Sequence, residues 1–250
     1  MGHKTLINGT AYEVGGGRAL VNGTGYEIDK GRTLVNGTGY DIPFAITDPE
    51  EALRQATVVA QGGWSGKGTD ANYYDVQFPI PGTSKTYYLF GAGHGAGGSK
   101  PSTAKFKGGT LTTLQEPGAW MGGKWQHYAG STNITFAASQ LAGKSAAIFE
   151  VPAAEEIIDP FLSGWSVIDS KATGDTTKRK MYMSIPGEDC YVCCFVDNSV
   201  CMYKYHGGVL TKVLQAGTVC PIIKGSDFYI SKNGTSEYSA YSGYIVAIKK

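Results

Sequence analysis

Three near-identical stretches open the chain: LINGTAYEV (residues 6–14), LVNGTGYEI (residues 20–28) and LVNGTGYDI (residues 34–42). Each stretch places Asn-Gly between two apolar residues and a Thr-x-Tyr segment. Asn-Gly favours a two-residue type I′ turn, because both residues tolerate positive φ. Each stretch therefore predicts a small antiparallel hairpin, and the constant spacing predicts a modular array.

The register of these hairpins shows that each one lacks a partner for its apolar side chains. In the first unit a two-residue turn pairs residue 7 with 10, 6 with 11 and 5 with 12, so Ile7, Thr10 and Tyr12 share one face. A single hairpin of this size is marginal in water and cannot bury its apolar side chains alone. We therefore expect the array to pack on itself, on identical chains or on another surface. The expected assembly interface comprises Leu6, Ile7, Tyr12, Leu20, Val21, Tyr26, Leu34, Val35 and Tyr40.

Composition narrows the class of protein. The 250 residues carry 22 basic and 21 acidic side chains, so the net charge is close to zero. The chain has no excess of positive charge that would attract nucleic acid or an anionic membrane. The 36 glycines and 16 tyrosines are typical of an all-β protein with many turns. No apolar run is long enough for a membrane span, and no signal-peptide core precedes the repeats, which predicts synthesis in a reducing cytosol. The five cysteines are consistent with a reducing compartment. Their number is odd and all of them lie in the last quarter of the chain, which does not suit a disulfide framework.

After the array, residues 44–61 are predicted to form a helical connector. Asp48 is the expected N-cap, Pro49 the first helical residue and Glu51 the acid of a capping box, with the helix running to about Gln61. Residues 62–152 and 163–250 then form two predicted β-domains, joined by a linker at residues 153–162.

The two predicted β-domains repeat each other's motifs in the same order. The matches are GGWS (62–65) with SGWS (163–166), IPG (80–82) with IPG (185–187), KFKGGTLT (105–112) with KYHGGVLT (204–211), and residues 143–151 with 243–249. Each copy has short strands with turn signals every 8 to 12 residues, a pattern typical of a small sandwich or barrel. The sequence thus predicts an all-β fold with little helix: three hairpins followed by two tandem, duplicated β-domains.

Signatures of catalysis and of metal binding are incomplete. The segment GWSGK (63–67) departs from a nucleophile elbow, because its last glycine is displaced. GKGT (66–69) and GKS (143–145) lack the earlier glycine of a phosphate-binding loop. Cys190, Cys193, Cys194, Cys201 and His206 suggest zinc, but in a strand Cys193 faces away from Cys190 and Cys194. We therefore expect no catalytic residues, no metal and no cofactor.

A cluster of aromatic residues suggests a sugar-stacking surface. Trp120, Trp125 and Tyr128 lie close together among glycines, as expected of a glycan contact, and core packing is the alternative interpretation. Tyr238, Tyr241 and Tyr244 admit the same two interpretations.

The N-terminal units LVNGTGY, preceded by Gly-Arg-Thr, resemble short repeats at the start of virion proteins of phages that infect Gram-positive bacteria. The body resembles, in architecture alone, small β-domains of tail, baseplate and capsid-decoration proteins. The resemblance implies a structural virion protein, made in the host cytoplasm, that forms a homo-oligomer (a trimer is one arrangement) and contacts other virion proteins. It implies no catalytic residues. The alternative is a carbohydrate- or receptor-binding module at a tail tip, with a host-surface glycan as its partner.

Overall fold

The computed structural model describes residues 3–7, 10–14, 18–21, 24–27, 31–35, 38–42, 46–64, 75–95, 97–118, 122–138 and 143–250. Only the backbone is described in the strands before residue 43 and at residues 174–176. The chain divides into two compact units, Met1–Ile46 and Thr47–Lys250. It is predominantly β, as the sequence predicts, with antiparallel pairing throughout the described strands.

The first unit contains three two-stranded antiparallel sheets. In each sheet the leucine of the repeated motif pairs with the residue before tyrosine: Leu6 with Ala11, Leu20 with Gly25, and Leu34 with Gly39. The strands are β1 (His3–Ile7), β2 (Thr10–Val14), β3 (Arg18–Val21), β4 (Thr24–Glu27), β5 (Gly31–Val35) and β6 (Thr38–Ile42).

Helix α1 (Pro49–Arg54) opens the second unit and begins as the sequence predicts. The Asp48 side chain accepts a hydrogen bond from the Glu50 backbone N–H at 2.9 Å, and proline occupies the first turn. Glu51 does not close a capping box, because its carboxylate accepts bonds from the side chains of Arg54 and Gln55.

The predicted end of this helix at Gln61 is wrong. The helix stops at Arg54, and strand β7 (Thr57–Trp64) follows almost at once. Thr57, Val58 and Val59 are β-branched and favour extended backbone. A neighbouring strand, Lys144–Glu150, supplies the ladder that makes the extended form the stable one.

Residues 57–150 form the first lobe, which consists of two facing sheets. A five-stranded sheet has the order β11-β10-β9-β14-β7, and a three-stranded sheet has the order β12-β13-β8. Leu89, Phe106, Phe136 and Ile148 are completely buried in the core of this lobe. Its remaining strands are β8 (Val76–Pro79), β9 (Thr86–Gly93), β10 (Ser102–Lys107), β11 (Thr110–Gln115), β12 (Lys124–Gln126), β13 (Asn133–Ala137) and β14 (Lys144–Glu150).

Residues 166–249 form the second lobe, preceded by helix α2 (Glu155–Phe161) in the predicted linker. The five-stranded sheet of this lobe has the order β15-β23-β17-β18-β19, and the smaller sheet has the order β16-β21-β20 with β22 beside β21. Val192, Cys194, Phe228 and Ile245 belong to its core. The strands are β15 (Ser166–Lys180), β16 (Tyr182–Ser184), β17 (Cys190–Val196), β18 (Ser199–His206), β19 (Val209–Ala216), β20 (Val219–Lys224), β21 (Asp227–Lys232), β22 (Ser236–Glu237) and β23 (Ser239–Lys249).

Counted from its own first strand, each lobe follows one strand order. The large sheet reads first, eighth, third, fourth, fifth in both lobes when β22 is left out, and the small sheet reads second, seventh, sixth. The Gly108-Gly109 and Gly207-Gly208 turns occupy matching places, and all four glycines have positive φ.

One of the matches read from the sequence is wrong in detail. Trp64 ends β7, whereas Trp165 precedes β15, so the two tryptophans do not occupy matching places.

The two lobes pack through their large sheets. The Phe90 ring lies 5.3 Å from the Phe195 ring and 5.8 Å from Trp165, centroid to centroid. Strands β9 and β14 of the first lobe contact β17 of the second. Each large sheet is therefore buried on both faces near its centre, and both lobes lie in the one compact unit that begins at Thr47.

Candidate functional site

The nine expected assembly residues all lie in strands of the first unit. Their side chains fall outside the described part of the structure, so the assembly interface stays a prediction. The backbone does show the register of the strands, and the same motif positions pair with each other in all three hairpins.

The predicted glycan residues are not brought together on one surface. Trp120 lies outside the described residues. Trp125 is buried in the core of the first lobe, with its ring 4.8 Å from Phe136 and 5.8 Å from Phe78. Tyr128 is 63% exposed and donates a hydrogen bond to the Gln126 side chain at 3.0 Å. Among the described members of the cluster, Tyr128 alone offers an exposed ring.

The structure instead reveals a repeated arrangement in which each helix docks on one lobe. In the first lobe Tyr88 and Lys105 are directly paired across β9 and β10. Both side chains bind Asp159 of α2: the Tyr88 hydroxyl donates at 3.0 Å, and the Lys105 ammonium forms a short ion pair. Glu155, one turn earlier, accepts a second bond from Lys105 at 2.8 Å. Bonds from Lys105 and from neighbouring donors lower the pKa of Glu155 to about 2.

The second lobe uses the same pair of residue types. Tyr191 and Lys204 are paired across β17 and β18, and both donate to one oxygen of Glu50 in α1, at 2.6 and 2.8 Å. Burial alone would raise the pKa of Glu50, but the bonds from Lys204 and Tyr191 outweigh it and lower the pKa. Each helix therefore precedes one lobe in sequence and docks on the other. We call these two arrangements the helix clamps.

A buried polar cluster lies where the lobes meet. His94 is fully buried between Ser145 of the first lobe and Ser242 of the second, at 2.8 and 3.1 Å. Ser145 donates its proton to the backbone carbonyl of Asp197, also in the second lobe, at 2.8 Å. Ser145 must then accept from His94 Nε2–H, so Nδ1 is left to accept from Ser242.

This cluster is closed to a substrate. His94 Nδ1 can accept a hydrogen bond from Ser242, but His94, Ser145 and Ser242 are all buried, so neither hydroxyl is open to a substrate. Burial lowers the pKa of His94 to about 3, so the ring is neutral near pH 7. The arrangement joins the two lobes. The partners of His94 lie 51 and 148 residues away along the chain, so no local sequence pattern predicts this contact.

A shallow cleft of about 340 Å³ opens at one end of the second lobe. Its one thiol, Cys190, has a pKa raised to about 11 by burial and by nearby carboxylates, so it stays protonated near neutral pH. No activated nucleophile lines the cleft among the described residues. The cleft is lined by Asp189, Cys190, Tyr191, Lys204, Tyr205, Lys249 and Lys250.

The five cysteines are all free and buried, and their directions agree with the strand argument. Cys190, Cys194 and Cys201 face the core of the second lobe, whereas Cys193 faces the other side of the sheet. Within the described ranges, no group of three or more His, Cys, Asp or Glu side chains has the geometry of a metal site.

The described helices are all too short or too polar to cross a bilayer. Comparisons with protein families, with curated proteins and with solved structures give no match to this chain.

Proposed function

We propose that this chain is a structural virion protein of a bacteriophage, anchored or oligomerised through its N-terminal hairpins. Its body tiles or projects from the particle, in a tail, baseplate, fibre or capsid decoration. Its partners are further copies of itself and other virion proteins, and the protein carries no enzymatic activity. The observation that carries the proposal is the threefold repetition of one hairpin register.

The unpaired strand edges of the hairpins support an assembly role. Every sheet among the described residues of the first unit has two strands, so each described strand has one edge without a partner in its own sheet. Unpaired edges invite pairing with other chains, and a two-stranded hairpin alone is marginal in water. Repetition at constant spacing suits a partner that also repeats, such as a symmetric shaft or a particle surface.

The body supports the proposal because its polar groups serve internal docking. The clusters around Asp159, Glu50 and His94 all bind one part of the body to another. We infer that the body arose by internal duplication and that its two copies are the first lobe, residues 57–150, and the second lobe, residues 166–249. The shared strand order and the matching Gly-Gly turns support this inference.

The experiment replaces residues 1–43 with a Gly/Ser linker of equal length and compares it with the full chain by light scattering coupled to size exclusion. The full chain is expected to be oligomeric, and the replaced variant monomeric with unchanged far-ultraviolet dichroism in its body. A variant that lacks one 14-residue unit, residues 18–31, is the matched control, and its association should be intermediate. Normal assembly of the replaced variant would move the interface to the body and refute the role of the hairpins.

A further inference from the structure

A row of apolar side chains, exposed at one end and half-buried at the other, crosses the small sheet of the second lobe. Tyr182, Tyr229 and Ile222 are direct neighbours on three adjacent strands, on the face opposite to Met183 and Phe228. Met183 and Phe228 are buried in the core, whereas Tyr182 is 50% exposed. The two tyrosine rings stack at 5.1 Å with an angle of 24° between their planes. Since β16 is the edge strand of this sheet, no described strand pairs with it on the side away from Tyr229.

The first lobe shows that this fold does not require apolar residues there. The matching row, on the small sheet of the first lobe, consists of Gln77, Thr135 and Gln126, which pair across β8, β13 and β12. In both lobes the opposite face of the small sheet packs into the hydrophobic core of that lobe. A requirement of folding would apply to both lobes, so the stacked tyrosines of the second lobe need another explanation.

We propose that the Tyr182–Tyr229 row is a binding site for a neutral pyranose ring of a glycan. The C–H bonds on one side of a sugar ring are weakly positive and pack against the negative face of an aromatic ring. Each tyrosine also carries a hydroxyl group that can donate a hydrogen bond to a sugar hydroxyl or accept one from it. This site goes beyond the structural role, and its failure would leave that role intact.

The size of the row favours a sugar over a protein. A tyrosine side chain offers about 150–250 Å², and Tyr182 is only half exposed. The row thus falls well below the roughly 800 Å² that each partner buries in a stable protein interface.

The charges beside the row favour a neutral sugar over an anionic one. Glu237 pairs with Lys224, which stands two residues from Ile222 on the same strand, and lies 3.8 Å from Lys180. The bond from Lys224 lowers the pKa of Glu237, so the carboxylate is charged and offsets one ammonium group. Asp227, two residues from Tyr229, is the register partner of Lys224 and adds a second carboxylate beside the row. The Lys224 ammonium group is therefore held in an ion pair within the protein and is not a free cation.

The test is a glycan array of neutral saccharides, followed by titration of N-acetylglucosamine trimer, cellotriose and maltotriose into labelled full-length protein by NMR. At least one probe should bind and shift the Tyr182 and Tyr229 signals. Tyr182→Ala should weaken this binding about tenfold or more, while Tyr182→Phe, which keeps the ring, should weaken it less than threefold. Gln77→Ala, at the matching position of the first lobe, is the control and should bind as the unchanged protein does. Because Tyr182 is exposed, its substitution should leave the protein folded. The amide spectrum of each variant checks this.

Three outcomes would overturn the proposal. The first is no binding on the array or by the three probes. The second is binding that survives Tyr182→Ala in a folded protein. The third is a concentration-dependent dimer that Tyr182→Ala abolishes without any effect of sugar, since the row would then bind a second copy of the chain.

Discussion

Gly63 tests directly whether the lobes meet as described. It lies in β7 of the first lobe, and a Cβ placed on it would be 1.8 Å from the backbone oxygen of Asp197 and 2.7 Å from that of Lys144. Asp197 cannot easily move away. Its own φ is +52°, its carbonyl accepts from Ser145, and its carboxylate accepts from the Tyr238 hydroxyl at 2.6 Å.

The magnitude follows from these contacts. Adding one carbon to a packed interior costs about 1–3 kcal/mol, and displacing the Asp197 carbonyl from Ser145 leaves a buried polar group that costs about 1–3 kcal/mol more. Alanine returns about 0.4–1 kcal/mol by restricting the unfolded chain. We expect Gly63→Ala to lower the free energy of unfolding by about 3 kcal/mol, which corresponds to a fall in Tm of about 6–12 °C for a chain of this size.

The neighbouring Gly62 supplies the matched control. Its added Cβ would meet side-chain atoms only, with Val76 Cγ1 at 2.7 Å and Phe78 Cε1 at 3.3 Å. A valine methyl group can rotate away, so Gly62→Ala should cost about 1 kcal/mol or less. Both variants are measured by urea denaturation followed by circular dichroism. If Gly63→Ala costs no more than Gly62→Ala, β7 does not lie against the Asp197 turn, and the packing of the lobes would need revision.

Three further predictions concern titration, thiols and the helix clamps. Folded His94 takes up a proton only near pH 3 whereas the unfolded residue does so near 6.5, so the unfolded state binds more protons and stability should fall as the pH drops from about 6.5 to 3. Denaturation at a series of pH values should show this fall flattened in His94→Gln, and an unchanged slope would contradict it. Thiol titration should count five cysteines in denatured protein and almost none in native protein, because burial raises the pKa of Cys193 and Cys194. Fast native labelling of Cys193 or Cys194 would argue against the buried placement. In the second helix clamp, Glu50→Gln and Tyr191→Phe should show a coupling energy of about 0.5–3 kcal/mol in a double-mutant cycle, and additive effects would mean that the bond contributes nothing.

The strands could be predicted from sequence, because alternating β-branched and aromatic residues depend on local preference. The end of α1 could not. Its sequence from Pro49 to Gln61 gives no strong stop signal before Gly62, and β14 decides the matter by offering Thr57–Trp64 a ladder. Such a partner lies some 90 residues away, so no local pattern reveals it. This is tertiary structure overriding helix propensity.

The row of Tyr182 and Tyr229 escaped prediction for the same reason. Tyr182 and Tyr229 are 47 positions apart, and only the register of β16 with β21 makes them neighbours. Trp125 and Tyr128 are close in sequence but do not share a surface. Trp125 lies in β12 with its side chain on the core face, whereas Tyr128 follows the end of that strand and is exposed.

A chain with two lobes of one strand order also separates what folding demands from what it leaves open. Features present in both lobes, such as the Gly-Gly turns and the cross-strand Tyr–Lys pairs, are accounted for by turn geometry and by helix docking. Features present in one lobe alone have no such account. The row of Tyr182, Tyr229 and Ile222 is apolar, whereas the matching row of the first lobe is polar. Half of the Tyr182 side chain is exposed to water, where the first lobe has a glutamine instead. Exposed ring surface costs solvation and raises the risk of association, so its presence on one lobe alone is best explained by a partner that covers it.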